Sequence, residues 1–235
     1  MARLMRNFGI VDQKLEEADF FCDLVAEGGA DVRRVSHYFS AYVAAARSVT
    51  FALQASISGA DGFADWYTGW QRKLKQDNLA RFFHACRTDT QHIGLNPVRA
   101  CWSSREYKAC FFRQPELGRY DWLPEVDVAT ACHQHMKLLC ELMRDCYQVF
   151  GMLIDPDQIY TAEGLAAKGW SLEDVEEQLG FPRGYTDIPW EGQDKDAQRL
   201  KLLRRNIALS GIGPTLSKYL DEASATGAER GVIEQ

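Results

Sequence analysis

Apolar and polar residues alternate along most of the chain with the period of an α-helix. The clearest stretch has apolar residues spaced by four and three, at Val35, Phe39, Tyr42, Ala46, Val49 and Leu53. This spacing places them on one face and predicts an amphipathic helix over about residues 31–57. Similar stripes predict helices over 15–26, 63–74, 79–86 and 126–150, and we expect Gly151 to end the last of them.

The remaining segments are less regular. Residues 94–124 mix aromatic and polar residues with turn formers, which is typical of a short hairpin or an ordered loop. After Asp155-Pro156 the pattern changes to short helices. The sequence therefore predicts a mostly α fold: an up-and-down helical bundle over residues 1–154, and a smaller helical appendage over 155–235 with a frayed tail from Ala223.

Composition narrows the class of protein. The chain of 235 residues has a formal charge of −6 and no apolar run long enough to span a membrane. No signal-peptide pattern is present, so we expect a cytoplasmic protein whose seven cysteines are reduced thiols. A metal site near Cys132 and Cys140 is possible in principle. However, His133 and His135 point to opposite sides of their helix, so core packing is the better interpretation, and no metal or cofactor is expected.

One stretch of this acidic chain is basic. Between Gln71 and Arg99, six Arg or Lys residues stand against two Asp residues. Such a patch attracts a phosphate backbone, although each of these residues is also typical of a solvated helix face. The candidate RNA-binding residues are Lys73, Lys75, Arg81 and Arg99.

Arg87 and His92 bracket four mostly polar residues at the end of a predicted helix. A permanently charged guanidinium beside an imidazole that titrates near neutrality suits phosphodiester chemistry. Residues five apart lie about 140° from each other around a straight helix, so we expect the helix to end or bend between them. Thr88 and Asp89 are candidate supporting residues, although a loop carboxylate is the simpler interpretation of Asp89. Arg47 is either a third supporting residue or, as its position slightly favours, a surface charge.

The bundle and the Arg-x-x-x-x-His motif resemble the HEPN superfamily over about residues 12–150. The likeness also includes Ala45-Ala46-Arg47-Ser48-Val49 and Leu79-Ala80-Arg81-Phe82-Phe83. Thr88 departs from the Asn, Asp or His that usually follows the arginine. The resemblance implies a metal-independent endoribonuclease, often a toxin or defence effector with a protein antitoxin. It also implies a homodimer whose composite site joins two copies of Arg87 and His92.

Two other functions stay open. The bundle is also compatible with a non-catalytic module that binds a nucleotide or a protein, which the acidic net charge favours. Residues 162–190 have the spacing of a DNA-reading helix-turn-helix, but the second helix is acidic. The segment from Gly180 to Asp187 also looks like a short C-terminal stretch of DNA cytosine methyltransferases. The chain has neither their Pro-Cys nucleophile nor a glycine-rich cofactor loop, so this likeness implies no methyl transfer.

Overall fold

A computed structural model describes residues 8–104, 108–115, 119–189, 194–207 and 210–221. The fold is mostly α-helical, as the sequence predicts. No helix in these ranges has the length and apolar character required to cross a membrane. The predicted frayed tail from Ala223 lies outside the described residues.

The described part of the chain up to residue 92 forms the helices α1 (Gly9–Glu27), α2 (Val32–Ile57), α3 (Phe63–Gln76) and α4 (Asn78–His92). Helix α2 packs against α1 and α4, and α3 packs against α4. Side-chain caps set two of the starts. Asp31 accepts from the backbone N–H groups of Arg33 and Arg34 at the start of α2, and Asp77 accepts from that of Ala80 at the start of α4.

A short hairpin follows α4. It is one of the two structures, a hairpin or an ordered loop, that the sequence predicts for residues 94–124. Strands β1 (Val98–Ser103) and β2 (Lys108–Phe112) pair antiparallel, and β1 packs on α2. Phe112 of β2 joins a buried aromatic cluster with Phe39 of α2 and with Phe82 and Phe83 of α4. The hairpin therefore holds α4 on α2 from one side.

Helix α5 (Val128–Ile154) follows the hairpin in the chain. Its apolar stripe is buried at Cys132, Met136, Leu139, Met143 and Cys146, which confirms the core packing predicted for this face. The prediction that Gly151 ends the helix is wrong. The lack of a side chain at Gly151 instead leaves room for the side chain of Gln158, and α5 ends before Pro156.

Contacts divide the chain into two compact units. One comprises the described residues up to Arg144 with those from Ile212 onward, and the other comprises Asp145–Gly211. The sequence places a single boundary between residues 154 and 155. It therefore puts α10 (Ile212–Leu220) in the appendage, whereas α10 packs on α1. Lys218 of α10 binds Asp19 and Asp23 of α1 at 2.7 and 2.6 Å.

The described residues of the second unit include the end of α5 and the short helices α6 (Pro156–Ile159), α7 (Ala162–Lys168), α8 (Leu172–Gln178) and α9 (Lys195–Arg204). Its core is formed by Leu165, Val175 and Leu203. Acidic residues of α8 are engaged in ion pairs within the unit: Glu173 with Arg199, and Asp174 with Arg183.

The cysteines depart in part from the expected reduced thiols. Cys110 of β2 is disulfide-bonded. Cys22, Cys86, Cys132 and Cys140 are buried and form no disulfide. Burial raises the pKa of Cys22 to about 11 and that of Cys140 to about 12, so these thiols are unreactive packing groups.

Candidate functional site

Arg87 and His92 meet on the last turns of α4. One terminal nitrogen of Arg87 lies 3.5 Å from Nε2 of His92, on the exposed surface of the helix. The predicted bend is wrong, because α4 runs without a break through His92. The long arginine side chain follows the helix surface instead. Since a guanidinium only donates hydrogen bonds, Arg87 is the donor in this contact.

Neither of the two candidate supporting residues, Thr88 and Asp89, contacts this pair. The hydroxyl of Thr88 donates to the backbone carbonyl of His84 at 3.1 Å. Asp89 is buried and accepts two hydrogen bonds of 2.8 Å from Nε of Arg119. The side chain of Asp89 lies about 200° around the helix from that of Arg87, because the two residues are two positions apart. Asp89 is therefore neither the exposed loop carboxylate nor the imidazole-orienting group that the sequence suggests.

A cavity of about 480 Å³ opens beside Arg87 in the first unit. Helix α2 supplies one wall through Arg47, Thr50, Phe51 and Gln54, which share a face at helical spacing. The facing walls come from α3, α4 and α5 through Tyr67, Gln71, Leu74, Lys75, Ala80, Arg81, Phe83, His84, Arg87, His135 and Leu139. His135 stacks on Phe83 with ring centroids 4.3 Å apart.

Positive charge is concentrated in this cavity. Of the described residues that line it, none is Asp or Glu. Burial lowers the pKa of Arg47, and the nearby charge of Arg87 lowers it further. Burial, followed by the charges of Arg47 and Arg87, lowers the pKa of His84 as well. Arg47 and Arg87 therefore lie near enough to act on each other and on His84, so the charges of both guanidinium groups would stabilise an anion in the cavity.

Arg47 therefore lies in the site. The interpretation of this residue as a surface charge is wrong, because its half-buried side chain lines the cavity that Arg87 also lines. Its guanidinium donates to the hydroxyl of Thr50 at 3.1 Å and lies 4.2 Å from the ring centroid of Phe51. These two contacts hold the charged group in place on the α2 wall.

The predicted RNA-binding residues separate into two groups. Lys75 and Arg81 line the cavity, and Arg81 also reaches Asp121 at 3.4 Å on the exposed surface. Lys73 instead pairs with Glu141 at 2.9 Å and lies over the ring of Trp70. Arg99 is exposed on β1 and does not line the cavity.

The sequence reasoning missed His84. It lies one helical turn before Arg87, so spacing alone places both side chains on the same face of α4. Tyr67, which lies within the helix predicted over 63–74, was also missed. In the structure Tyr67 is buried and lines the cavity.

Fold and site together define a helical bundle with a cationic cavity next to an exposed Arg–His pair. Residues 8–99 match the model of a family described as bacteriophage lambda protein ea47. This segment is less than half of the chain, and it includes Arg47, His84, Arg87 and His92. The chain is thus similar to that phage protein family over the part that builds most of the cavity. No curated protein and no solved structure matches the chain.

Proposed function

We propose that this protein is a metal-independent endoribonuclease of HEPN type in which Arg87 and His92 act on one phosphodiester. The observation that supports the proposal most directly is their 3.5 Å contact at the exposed end of α4. Both side chains are accessible to a polymeric substrate, and the adjacent cavity adds further positive charge. RNA and a second copy of the chain are the expected partners, and the cytoplasm is the expected location.

The proposed reaction is an intramolecular phosphoryl transfer. A neutral imidazole removes the proton of a ribose 2′-hydroxyl, and the 2′-oxygen forms a bond to phosphorus. The bond from phosphorus to the 5′-oxygen breaks, and that oxygen takes a proton from a protonated imidazole. A 2′,3′-cyclic phosphate and a free 5′-hydroxyl result. Arg87 stabilises the negative charge that grows on the phosphoryl oxygens.

One base and one acid are required, and a homodimer supplies two copies of His92. Ile93 is 57% exposed immediately after His92, so an apolar side chain is available for contact beside the motif. When a phosphate binds, Arg87 can turn from Nε2 of His92 to the phosphate and leave that nitrogen to exchange a proton. Such an enzyme suits a toxin or defence effector that a protein antitoxin restrains.

Replacement of His92 by Ala tests the proposal. We expect the wild-type protein to cleave single-stranded RNA in the presence of EDTA, with cyclic phosphate ends detected by mass spectrometry. His92→Ala and Arg87→Ala should each lower the cleavage rate by roughly 10²- to 10⁴-fold. His37→Ala, at an exposed histidine of α2, and Arg72→Ala, at an exposed arginine of α3, are the matched controls. Undiminished cleavage by His92→Ala would falsify the proposal.

The rival function is a module that binds a nucleotide or protein without catalysis. The concave cavity of about 480 Å³ favours a small phosphorylated ligand over a protein partner for that alternative. Stable ligand binding by wild-type protein that cleaves no RNA under any condition would decide for it.

A further inference from the structure

We propose that the cavity beside Arg87 is a subsite for a single unpaired nucleotide of an RNA chain, with its phosphate between Arg47 and Arg87. The identity of the ligand as part of RNA rests on the proposed function. The cavity itself does not, because its charge, size and lining are properties of the folded chain.

The first argument is electrostatic. Arg47 comes from α2 and Arg87 from α4, and each faces the same cavity without an acidic residue among its described lining. The fold thus brings together cations from separate helices whose mutual repulsion opposes folding. Lys75 and Arg81 add to the same field. A bound phosphate would relieve this repulsion and accept charge-assisted hydrogen bonds from both guanidinium groups.

The second argument is the chemistry of the remaining lining. Phe51 and Tyr67 place aromatic rings at the wall of the cavity, and Arg47 covers one face of Phe51. Gln71 offers an amide donor and acceptor, and Gln54, whose amide nitrogen already donates to the carbonyl of Thr50, offers its acceptor oxygen. A nucleobase needs a flat apolar contact together with hydrogen-bond partners at its edge, and these side chains supply both. An inorganic anion would use only the cationic part of the cavity.

The third argument is size and position. A volume of about 480 Å³ lies in the range of small-molecule sites and is too confined for a base-paired duplex. Arg87 lines the cavity and also reaches His92, so one side chain joins the two features. A nucleotide held in the cavity would place its phosphate group next to the proposed acid–base group. The substrate class is therefore single-stranded RNA with one base turned out of its stack.

Ligand binding to the inactive His92→Ala protein tests this inference separately from cleavage. Isothermal titration calorimetry would compare uridine 3′-monophosphate and adenosine 3′-monophosphate with the matching nucleosides and with inorganic phosphate. We expect at least one nucleotide to bind more than tenfold tighter than both its nucleoside and inorganic phosphate. A short single-stranded oligoribonucleotide should compete with that nucleotide.

The added substitution Arg47→Gln should weaken nucleotide binding roughly 10- to 100-fold, as expected for a lost charge-assisted hydrogen bond. Arg47 is half-buried, so its replacement could also disturb the fold. His84 is exposed, and His84→Gln therefore provides a second test that leaves the core unchanged. Arg72→Gln is the matched control. Circular dichroism would verify that each variant is folded.

The outcomes separate the two proposals. Nucleotide binding that Arg47→Gln and His84→Gln leave unchanged, or no nucleotide binding at all, overturns the subsite. Failure of RNA to compete overturns the assignment to RNA and indicates a free nucleotide. Nucleotide binding with RNA competition, in a wild-type protein that never cleaves RNA, overturns the nuclease and supports the subsite.

Discussion

At the scale of single residues, neighbours in sequence have unrelated roles because the helix separates them. Arg87 faces the cavity and His92, while Asp89 is buried against Arg119 on another side of α4. Sequence proximity suggested that Asp89 serves the histidine. The structure gives it a role in holding α4 to the segment that follows the hairpin.

Substitution of Asp89 by Asn distinguishes these roles. The change removes the charge from a side chain that is 4% exposed and bonded to Arg119, which is 49% exposed. We expect a loss of about 1–3 kcal/mol in the free energy of unfolding, measured by urea denaturation. RNA cleavage per folded molecule should be unchanged. The control Asp121→Asn, at a carboxylate that is 91% exposed, should change stability by less than about 0.5 kcal/mol. A strong loss of cleavage in folded Asp89→Asn protein would restore the orienting role.

At the scale of elements, the sequence predicts α2, α3 and the start of α4 well, because a regular apolar stripe coincides there with a capping residue or a turn, whereas α4 continues six residues past its predicted end at residue 86. Asp31 caps α2 and Asp77 caps α4, within two residues of the starts that the apolar stripes predict. The prediction at Gly151 was wrong because whether a glycine ends a helix depends on what packs against it. Here the side chain of Gln158 occupies the space that a side chain at position 151 would need.

The candidate site was predictable only in part. The residue types of Arg87 and His92 indicate phosphate chemistry, but their contact depends on the path of a long side chain that helical angles do not describe. The cavity was not predictable, since it requires Arg47 on α2 and Tyr67 on α3 to face α4. That arrangement is set by how the helices pack, and a single stripe of apolar residues does not specify it.

In the second unit, the side chain of Glu176 joins helix α8 to the irregular segment around residues 184–186 through hydrogen bonds. Its buried carboxylate accepts from the backbone N–H groups of Gly184 and Thr186, and Arg199 lies 3.3 Å away. Burial alone would raise the pKa of Glu176, but the hydrogen bonds from Thr186, Gly184 and Arg199 lower it to about 2. This network holds the backbone at Gly184 and Thr186.

Glu176→Gln should therefore destabilise this element. The amide keeps one acceptor oxygen but turns an NH₂ group toward N–H donors, so we expect a cost of about 2–4 kcal/mol. Hydrogen exchange at the amides of Gly184 and Thr186 would measure it as faster exchange. Glu177→Gln, at a side chain that is 55% exposed and pairs with Arg183, is the control and should leave those amides protected. Equal protection in both variants would show that the carboxylate does not hold the segment.

At the scale of the whole molecule, His135 couples stability to pH. It is buried beneath the cavity, its Nδ1 lies 2.8 Å from the hydroxyl of Tyr42, and that hydroxyl donates to the carbonyl of Cys132. Burial lowers the pKa of His135 from 6.5 to about 3. In the unfolded chain, His135 is therefore protonated below about pH 6.5. In the folded chain, it stays neutral until the pH falls to about 3.

The sign of the effect follows from this difference. Between these two pKa values the unfolded state holds more protons, so the free energy of unfolding falls as the pH is lowered. From pH 7 to pH 5 this residue alone contributes a loss of about 2 kcal/mol. His135→Phe keeps an aromatic ring against Phe83 and leaves Tyr42 its carbonyl acceptor. Urea denaturation at pH 7 and pH 5 should show that the free energy of unfolding of His135→Phe falls by about 2 kcal/mol less than that of the wild type. The control His37→Phe should lose as much stability between the two pH values as the wild type. Identical pH dependence in His135→Phe and the wild type would mean that other groups control the acid sensitivity.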